Sequence, residues 1–345
     1  MRYLILFFAF TYLPVWAQNS EEVHLNNIRQ LTFGGNNAEA YFSRDDKYVS
    51  FQSDFKQWGL ECDQIFYLDV SKDTKTQQPN RISTGFGRTT CSFFMPNGKA
   101  VLYASTHESG GHACPTPPEM GKKYLWPIYD TFDIYISSLK GKTKKKLTDS
   151  PGYDAEATVS PDGKSIVFTS TRNGDLDLYI MDINGKNVRQ ITHELGYDGG
   201  AFFSPDSKKL VFRASRFQSE AEREEYKENL KKNLVAPTNM EIFTCNVDGS
   251  DLKQITNLGK ANWAPYFTPK GDKIIFASNH HSQRGYDFQL YLIDLDGTNL
   301  KKITTESNFN AFPMFSYDGK KLIFSSNRNN GGTQDTNLFI ADWVD

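Results

Sequence analysis

Short apolar strands alternate with polar turns along most of the chain, and the alternation repeats. The clearest copy begins with a Ser-Pro-Asp-Gly-Lys turn at 160–164 and continues into the apolar strand Ile166–Phe168. In a type I turn, proline presets φ, aspartate bonds back to the backbone and glycine accepts the left-handed exit. The turn therefore predicts the tip of a hairpin. Five related turns, each followed by a short apolar strand, begin at Ser43, Met95, Ser204, Thr268 and Ser316.

Two further strands follow each hairpin in the same order. In the clearest copy they are the alternating strand Asp177–Asp182 and the closing strand Val188–Thr192. Strands like the first recur at Gln64–Asp69, Asp133–Ile136, Glu241–Cys245, Gln289–Asp294 and Asn337–Asp342. Strands like the second recur at Asn80–Ser83, Lys145–Thr148, Leu252–Thr256 and Leu300–Thr304, with the sixth near the other end of the chain at Ile28–Thr32.

Six units of four strands are typical of a β-propeller. The repeat starts on an outermost strand and ends on a third strand, so the N-terminal strand is expected to complete the last blade. Such closure removes the open sheet edges that invite aggregation. The predicted fold class is therefore all-β: a six-bladed β-propeller closed by an N-terminal strand, with a helical insertion in blade 4.

Two units are longer than the others because each carries an insertion between its second and third strands. The blade 2 insertion, about 107–130, holds Cys114 and a run from Trp126 to Tyr129, and its prolines exclude a helix at its start. Two interpretations stay open for it: an aromatic lip over the channel mouth, or a loop packed on its own blade.

The blade 4 insertion, about 217–236, has a helical pattern instead. Ser219 and Glu222 form a capping box, and Tyr226, Leu230 and Leu234 share one face at helical spacing. This predicts an amphipathic helix that either caps the propeller or acts as a lid or docking helix. Both insertions are expected at the same face of the ring, and that face is the candidate working surface.

Composition narrows the classes of function. The 345 residues include 39 Lys and Arg against 41 Asp and Glu, a net charge of -2. This balance leaves no excess of positive charge for binding nucleic acid, so that class of partner is not expected. With 38% hydrophobic and 14% aromatic residues, the chain can bury a substantial core.

The N-terminus differs from the rest of the chain. Arg2 precedes the apolar run Tyr3–Trp16, and Ala17 follows it. These features describe a secretory signal peptide of residues 1–17. The alternative is an uncleaved anchor, although the run is short for a membrane span. We expect residues 18–345 to form one propeller domain, a monomer without a membrane span, periplasmic or secreted after cleavage near Ala17.

The repeated pattern resembles that of a known family. The Ser-Pro-Asp-Gly-Lys turn, a strand ending in Phe, Leu-Tyr-Ile-Met-Asp and a closing Ile-Thr are similar to the TolB-type propeller repeat over about residues 28–342. The resemblance implies a periplasmic protein with protein partners, since TolB binds a peptidoglycan-associated lipoprotein alongside inner-membrane Tol components. TolB also carries an α/β domain ahead of its propeller, which is expected to be missing because only residues 18–27 precede the repeat.

The cysteines are expected near the face that carries the insertions, apart from Cys245, which is predicted to be a small core residue. In an exported protein two of Cys62, Cys91 and Cys114 could pair, and all three pairings stay open. His107, His112 and Cys114, and the adjacent His280 and His281, are metal-ligating residue types. The two tight ligand pairs of a structural zinc site are not evident, so we expect no metal and no other cofactor.

Alignment of the units on their turns brings out three columns of residues around the ring. The first is polar in every unit: Asn37, Thr89, Asp154, Asp198, Asn262 and Asn310. The second varies between units: Glu39, Cys91, Glu156, Gly200, Ala264 and Phe312. The third follows the second strand: Phe55, His107, Arg172, Arg216, His280 and Arg328.

The simpler interpretation of the first column is that its polar side chains bond locally to the backbone. For the third column it is that the arginines brace the loops. The alternative for all three columns is a polar binding ring around the channel mouth. In the second column, Glu39 and Glu156 would place two carboxylates at that mouth. Apolar anchors in the same segments would be Tyr153, Tyr197, Trp263 and Phe309.

The sequence has no Gly-x-Ser-x-Gly elbow, phosphate loop or His-Glu-x-x-His motif, and we assign no catalytic residues. We predict a scaffold of the cell envelope that binds a polypeptide segment of an envelope protein at the insertion-bearing face. The alternative is a channel-face enzyme acting on an oligosaccharide or peptide, using Glu39 and Glu156 with or without a divalent metal. The predicted binding residues are Glu39, Asp154, Glu156, Asp198, Asn262, Trp263, Asn310, Arg172, Arg216, Arg328, His107 and Trp126.

Overall fold

Each predicted turn is the tip of a hairpin in the structure, a computed structural model that describes residues 22–75, 78–121 and 123–345. In the turn at 160–164, the Gly163 N–H donates to the Ser160 carbonyl over 2.8 Å. The Lys164 N–H donates to an Asp162 carboxylate oxygen over 3.1 Å. Gly163 has a φ of +74°, the left-handed exit that this turn requires. The predicted signal peptide lies outside the described residues.

The described residues form six four-stranded antiparallel blades, whose strands are numbered along the chain. Blade 1 contains β2 (Asn37–Phe42), β3 (Tyr48–Ser53), β4 (Gln64–Asp69) and β5 (Asn80–Arg81). Blade 2 contains β6 (Thr89–Phe94), β7 (Ala100–Ser105), β9 (Asp133–Ser138) and β10 (Thr143–Lys146). Blade 3 contains β11 (Asp154–Val159), β12 (Ser165–Ser170), β13 (Asp177–Asp182) and β14 (Arg189–Gln190).

The second half of the ring is built in the same way. Blade 4 contains β15 (Asp198–Phe203), β16 (Lys209–Ser215), β18 (Met240–Asn246) and β19 (Lys253–Gln254). Blade 5 contains β20 (Asn262–Phe267), β21 (Lys273–Ser278), β22 (Gln289–Asp294) and β23 (Lys301–Lys302). Blade 6 contains β24 (Asn310–Phe315), β25 (Lys321–Ser326), β26 (Asn337–Trp343) and β1 (Leu25–Gln30).

The insertions add the remaining elements. The blade 2 insertion contains the short strand β8 (Trp126–Pro127), and the blade 4 insertion contains the helix α1 (Glu220–Leu230) and the strand β17 (Leu234–Val235). A single turn of 3₁₀ helix (Lys56–Trp58) lies in blade 1. The capping box at the start of α1 is present. These elements confirm the predicted six-bladed propeller with a helical insertion in blade 4.

A pair of phenylalanine or tyrosine rings lies at the centre of every blade. The two residues of each pair lie directly opposite each other on the second and third strands, where cross-strand side chains contact most closely. The pairs are Phe51 with Phe66, Tyr103 with Tyr135, Phe168 with Tyr179, Phe212 with Phe243, Phe276 with Tyr291 and Phe324 with Phe339. All twelve rings are buried, and the core is shared between blades, since Phe51, Phe168 and Phe276 belong to one hydrophobic cluster.

The ring closes as the sequence predicts, through pairing of β1 with β26. The register runs from Leu25 opposite Trp343 to Gln30 opposite Phe339. Ahead of β1, Glu22 is completely buried and receives two bonds of 3.1 Å from the Arg328 guanidinium of blade 6. The N-terminal segment is therefore held by backbone pairing and by a buried ion pair.

No helix among residues 22–75, 78–121 and 123–345 is long and apolar enough to span a membrane.

Glu22→Ala is expected to lower the free energy of unfolding by about 3 kcal/mol, because it leaves the buried Arg328 without its bidentate partner. Glu306→Ala is the matched control, since its exposed carboxylate lies 3.8 Å from the same arginine. Its loss should cost under about 1 kcal/mol. Urea unfolding measures both, and equal effects would contradict the closing role of Glu22.

Candidate functional site

Each of the six innermost strands breaks its pairing register near its start. The break is a β-bulge, and the bulged residue has a left-handed φ between +45° and +61° in every blade. Non-glycine residues adopt this conformation only at an energetic cost. The six residues are those of the second sequence column: Glu39, Cys91, Glu156, Gly200, Ala264 and Phe312.

These six bulged residues meet around the axis of the ring. Together with a few neighbours they line a narrow pocket of about 20 Å³. Beneath it, the Tyr41 ring of blade 1 and the Phe202 ring of blade 4 lie 5.4 Å apart between centroids. Because blades 1 and 4 are opposite each other, this contact closes the channel at its lower end. The site is open only toward the face that carries the insertions.

The two insertions join at this face, and the blade 2 insertion covers the mouth as a lid, which we define as residues 107–121 and 123–130. Strand β8 pairs with β17 through Trp126 opposite Val235 and Pro127 opposite Leu234. The Ile128 N–H also donates to the Asn233 carbonyl over 2.7 Å. The blade 2 insertion therefore reaches beyond its own blade, as the lip interpretation requires. The blade 4 insertion holds it through β17, but none of residues 217–236 lines the cavity beneath it.

Beneath the lid lies a cavity of about 560 Å³ that is continuous with the narrow pocket, since both are lined by Glu39, Glu156 and Arg213. The Trp126 ring is 5.1 Å from the Trp263 ring, which stacks on Phe288 at 4.3 Å. The other aromatic residues that line the cavity are Tyr124, Tyr129, Phe132, Tyr153, Tyr197, Phe309 and Phe312.

The cysteine pairing that the sequence left open is decided by the fold. Cys62 of blade 1 and Cys114 of the lid form a disulfide, with a Cα–Cα separation of 5.9 Å. The disulfide ties the lid to a blade other than the one from which the insertion leaves. Cys91 lies in the channel as a free thiol, and Cys245 is buried in blade 4 as predicted.

Glu156 is held by donors from two blades. Tyr197 donates to its carboxylate oxygens over 2.6 and 2.7 Å, and Thr169 donates over 2.7 Å. The Gly200 N–H donates over 2.9 Å, and the buried Arg213 guanidinium forms an ion pair with the same group. Gly200 is required here, because a Cβ at that position would lie 2.2 Å from an Arg213 nitrogen.

Glu39 is the second carboxylate of the narrow pocket, and its surroundings are different. The Tyr41 hydroxyl donates to it over 3.4 Å. Burial raises the pKa of Glu39, an effect that the neighbouring Glu156 charge reinforces and a bond from the Cys91 thiol opposes. Burial likewise raises the pKa of Cys91 well above its usual value, so that the thiol stays protonated.

The arginines of the third column brace residues of the first column, as the bracing interpretation of the third column predicts. Arg172 donates to Asp154 over 2.9 and 3.0 Å, and Arg216 donates to Asp198 over 3.1 Å. Arg328 donates over 3.0 Å to Asn310, in addition to its pair with Glu22.

Two further members of these columns, His107 and Asn262, also bond to neighbouring strands or turns. His107 bonds to Ser105 at 2.9 Å, and Asn262 donates to the Met240 carbonyl over 2.8 Å. None of the column residues named in these braces lines the cavity. A binding role for them stays a prediction.

The structure therefore brings four of the predicted binding residues together in one cavity: Glu39, Trp126, Glu156 and Trp263.

Sequence reasoning missed Arg213, which bonds Glu156 and whose guanidinium carbon lies 5.3 Å from the Trp126 ring. The signal was present, because Arg213 interrupts an otherwise apolar second strand where the other blades carry Gln52, Ala104, Thr169, Ala277 and Ser325. It also missed the salt bridge of Asp63 with Arg88 at the cavity rim. In the part of the chain that is described, no cluster of three or more His, Cys, Asp or Glu side chains could hold a metal ion.

Two isosteric substitutions in the channel should have different effects. Glu156→Gln is expected to lower the free energy of unfolding by about 3 kcal/mol, because the buried Arg213 loses its counter-charge. Glu39→Gln should not lower stability at pH 7. A carboxyl group whose folded pKa lies above its unfolded value destabilises the protein when it is ionised, and the amide removes that cost. Thermal melting of both variants tests this, and a loss of stability in Glu39→Gln would contradict it.

Comparison with known proteins agrees with this architecture. The family model of the TolB beta propeller domain matches residues 128–221 and 234–336, together more than half of the chain. The gap between the two matched segments falls within the helical insertion.

Solved structures with the same fold include a TolB-type protein from Agrobacterium tumefaciens, with 23% identity and a TM-score of 0.60 over 90% of this chain and 91% of that one. TolB from Acinetobacter baumannii has 19% identity and a TM-score of 0.58 over 87% and 64%. An oligogalacturonate lyase from Vibrio parahaemolyticus has 13% identity and a TM-score of 0.52 over 91% and 93%. At these identities the structures support the fold alone, whereas the extent of the family match shows that the chain belongs to the TolB β-propeller family.

Proposed function

We propose that this protein is an exported binding scaffold of the cell envelope, which holds a polypeptide segment of a partner protein in the cavity beneath the lid. The observation that carries the proposal is the blade 2 insertion, which covers the channel mouth and is held there by strand pairing with the blade 4 insertion, above a channel that is closed at its lower end. The resulting cavity of about 560 Å³ lies within the size range of known ligand sites.

The chemistry of the walls supports a polypeptide ligand. The residues that dominate binding energy in protein interfaces are enriched in tyrosine, tryptophan and arginine. Tyrosine and tryptophan provide large contact areas at a low cost in conformational entropy. The cavity presents Tyr124, Trp126, Tyr129 and Trp263, and its Arg88 is oriented by Asp63. The TolB-type repeat also implies an exported protein with a protein partner. A periplasmic location is part of the same proposal.

The alternative, a channel-face enzyme, has less support. An acid–base pair of carboxylates needs both groups free to exchange protons with a substrate. Glu156 already accepts bonds from Tyr197, Thr169, Gly200 and Arg213, so its proton exchange would disrupt the packing of two blades. This arrangement favours binding over catalysis.

Tyr124→Ala is expected to reduce recovery of the partner about tenfold when the tagged protein is purified from crosslinked cell envelope. Tyr124 is 64% exposed and lines the cavity, so its loss removes contact area without opening the core. Tyr286→Ala is the matched control, because Tyr286 is 81% exposed on the corresponding loop of blade 5 and lies outside the cavity.

Recovery of one protein by the unmodified chain and by Tyr286→Ala, with loss in Tyr124→Ala, would support a scaffold with its site beneath the lid. Equal recovery by all three chains would contradict that location. If no protein is enriched over an untagged sample, the scaffold proposal fails, and turnover of envelope glycans and peptides becomes the next measurement.

A further inference from the structure

The charges that line the cavity and the narrow pocket do not balance. The described lining residues include three carboxylates, Glu39, Asp63 and Glu156, and two guanidinium groups, Arg88 and Arg213. Asp63 is paired with Arg88, and Glu156 with Arg213. Glu39 is therefore the one carboxylate of this lining without a cationic partner.

The neighbours of Glu39 cannot supply the missing charge. Tyr41, beside it on β2, and Cys91 of blade 2 are neutral donors, and burial raises the pKa of both groups. Arg213 reaches across from blade 4, but its guanidinium is bonded to Glu156 and Tyr197. A partly buried carboxylate in this setting loses hydration without gaining an ion pair, and a cation from outside would restore the balance.

The backbone directs Glu39 toward that role. Its φ of +54° lies in the left-handed region, a conformation that a non-glycine residue adopts only where the surrounding fold imposes it. The bulge presents the side chain to the narrow pocket, at the bottom of the path that leads down from the cavity. The bulged residues of the other five blades face the axis in the same way, and Glu39 is the one among them that offers an entering ligand group a carboxylate without an ion pair.

The size of the narrow pocket limits which cation fits. Its volume of about 20 Å³ has room for one group of the size of a water molecule. A lysine ammonium is a compact point charge at the end of a flexible apolar stem, whereas a guanidinium is broad and planar. The Tyr41 and Phe312 rings in the lining suit both parts of a lysine, since aromatic rings attract ammonium groups and pack against methylene chains.

We propose that the narrow pocket is a subsite for a primary ammonium group, carried by a lysine side chain of the bound polypeptide, with Glu39 as its counter-ion. This proposal rests on the proposed function and specifies the chemistry of its ligand. Glu156 and Arg213 form the fixed wall of the subsite, and the aromatic cavity above it receives the rest of the segment.

The test uses three pentapeptides with blocked ends. Each has two glycines on either side of a central residue, which is lysine, norleucine or arginine. Binding to the full mature protein is followed by NMR of the indole N–H groups of Trp126 and Trp263, which line the cavity. The lysine peptide should bind at least tenfold more tightly than the norleucine peptide, which has the same stem without the charge. It should also bind more tightly than the arginine peptide.

Glu39→Gln is expected to abolish the preference for lysine over norleucine, because the amide cannot act as the counter-ion of an ammonium group. Glu61→Gln is the matched control, because it removes one negative charge from an exposed position of blade 1 outside the cavity. The preference for lysine should persist in that variant. Glu39→Gln should also fold normally, which thermal melting of the variant tests independently of binding.

The preference for lysine should also depend on pH. The groups that face Glu39 are Tyr41, Cys91, Glu156 and Arg213, and burial sets the raised pKa of Glu39 among them. The carboxylate must be ionised to bind ammonium, so the affinity for the lysine peptide should rise as pH rises through that pKa. In Glu39→Gln this rise should be absent, which separates titration of Glu39 from titration elsewhere.

Equal affinity for the lysine and norleucine peptides would overturn the ammonium subsite, as would a preference for lysine that survives in Glu39→Gln. Tighter binding of the arginine peptide would overturn the size argument and with it the assignment to lysine. None of these outcomes bears on the scaffold itself, which is judged by recovery of the partner with Tyr124→Ala and Tyr286→Ala.

Discussion

Pairing of the first strand with the last is the interaction on which the rest of the structure depends. Only when β1 completes blade 6 do blades 1 and 6 become neighbours, so that Glu39 and Phe312 lie in one pocket. The closed ring also sets blade 1 opposite blade 4, which brings Tyr41 and Phe202 into contact and seals the channel. The cavity is therefore a consequence of ring closure, and the buried pair of Glu22 with Arg328 holds the segment that produces it.

The same repeat supplies the residues that stabilise the propeller and the residues that line the channel, but they occupy different positions within each blade. The opposed aromatic pairs recur because every blade must contribute buried rings to the core, and arginine braces support the loops of blades 3, 4 and 6. The bulged positions on the innermost strands carry no such requirement, since their side chains face the axis. They differ from blade to blade within the same fold, and strained backbone at this point presents each one to the channel.

Two acidic residues at equivalent bulges, Glu39 and Glu156, have different environments because of residues on other strands. Arg213 and the space left by Gly200 make Glu156 part of a buried network. Glu39 has no such ion pair among the described lining residues, since Arg213 lies near it but is paired with Glu156, and burial raises the pKa of Glu39. A site of this kind combines a rigid wall with one unsatisfied charge, which suits selection of a cationic group from an otherwise apolar segment.

The sequence by itself determined the architecture. Turn residues, alternating strands and a permuted first strand are local signals, and six copies of them predict the propeller, its closure and the helix in blade 4. The second column also marked Glu39 and Glu156 as channel residues. The tertiary structure alone decided the pairing of Cys62 with Cys114, the joining of Trp126 to Val235 across blades, and the capture of Glu156 by Arg213. These contacts connect segments far apart in the chain, and no local pattern of residue types encodes which distant partner a side chain will meet once the ring has closed.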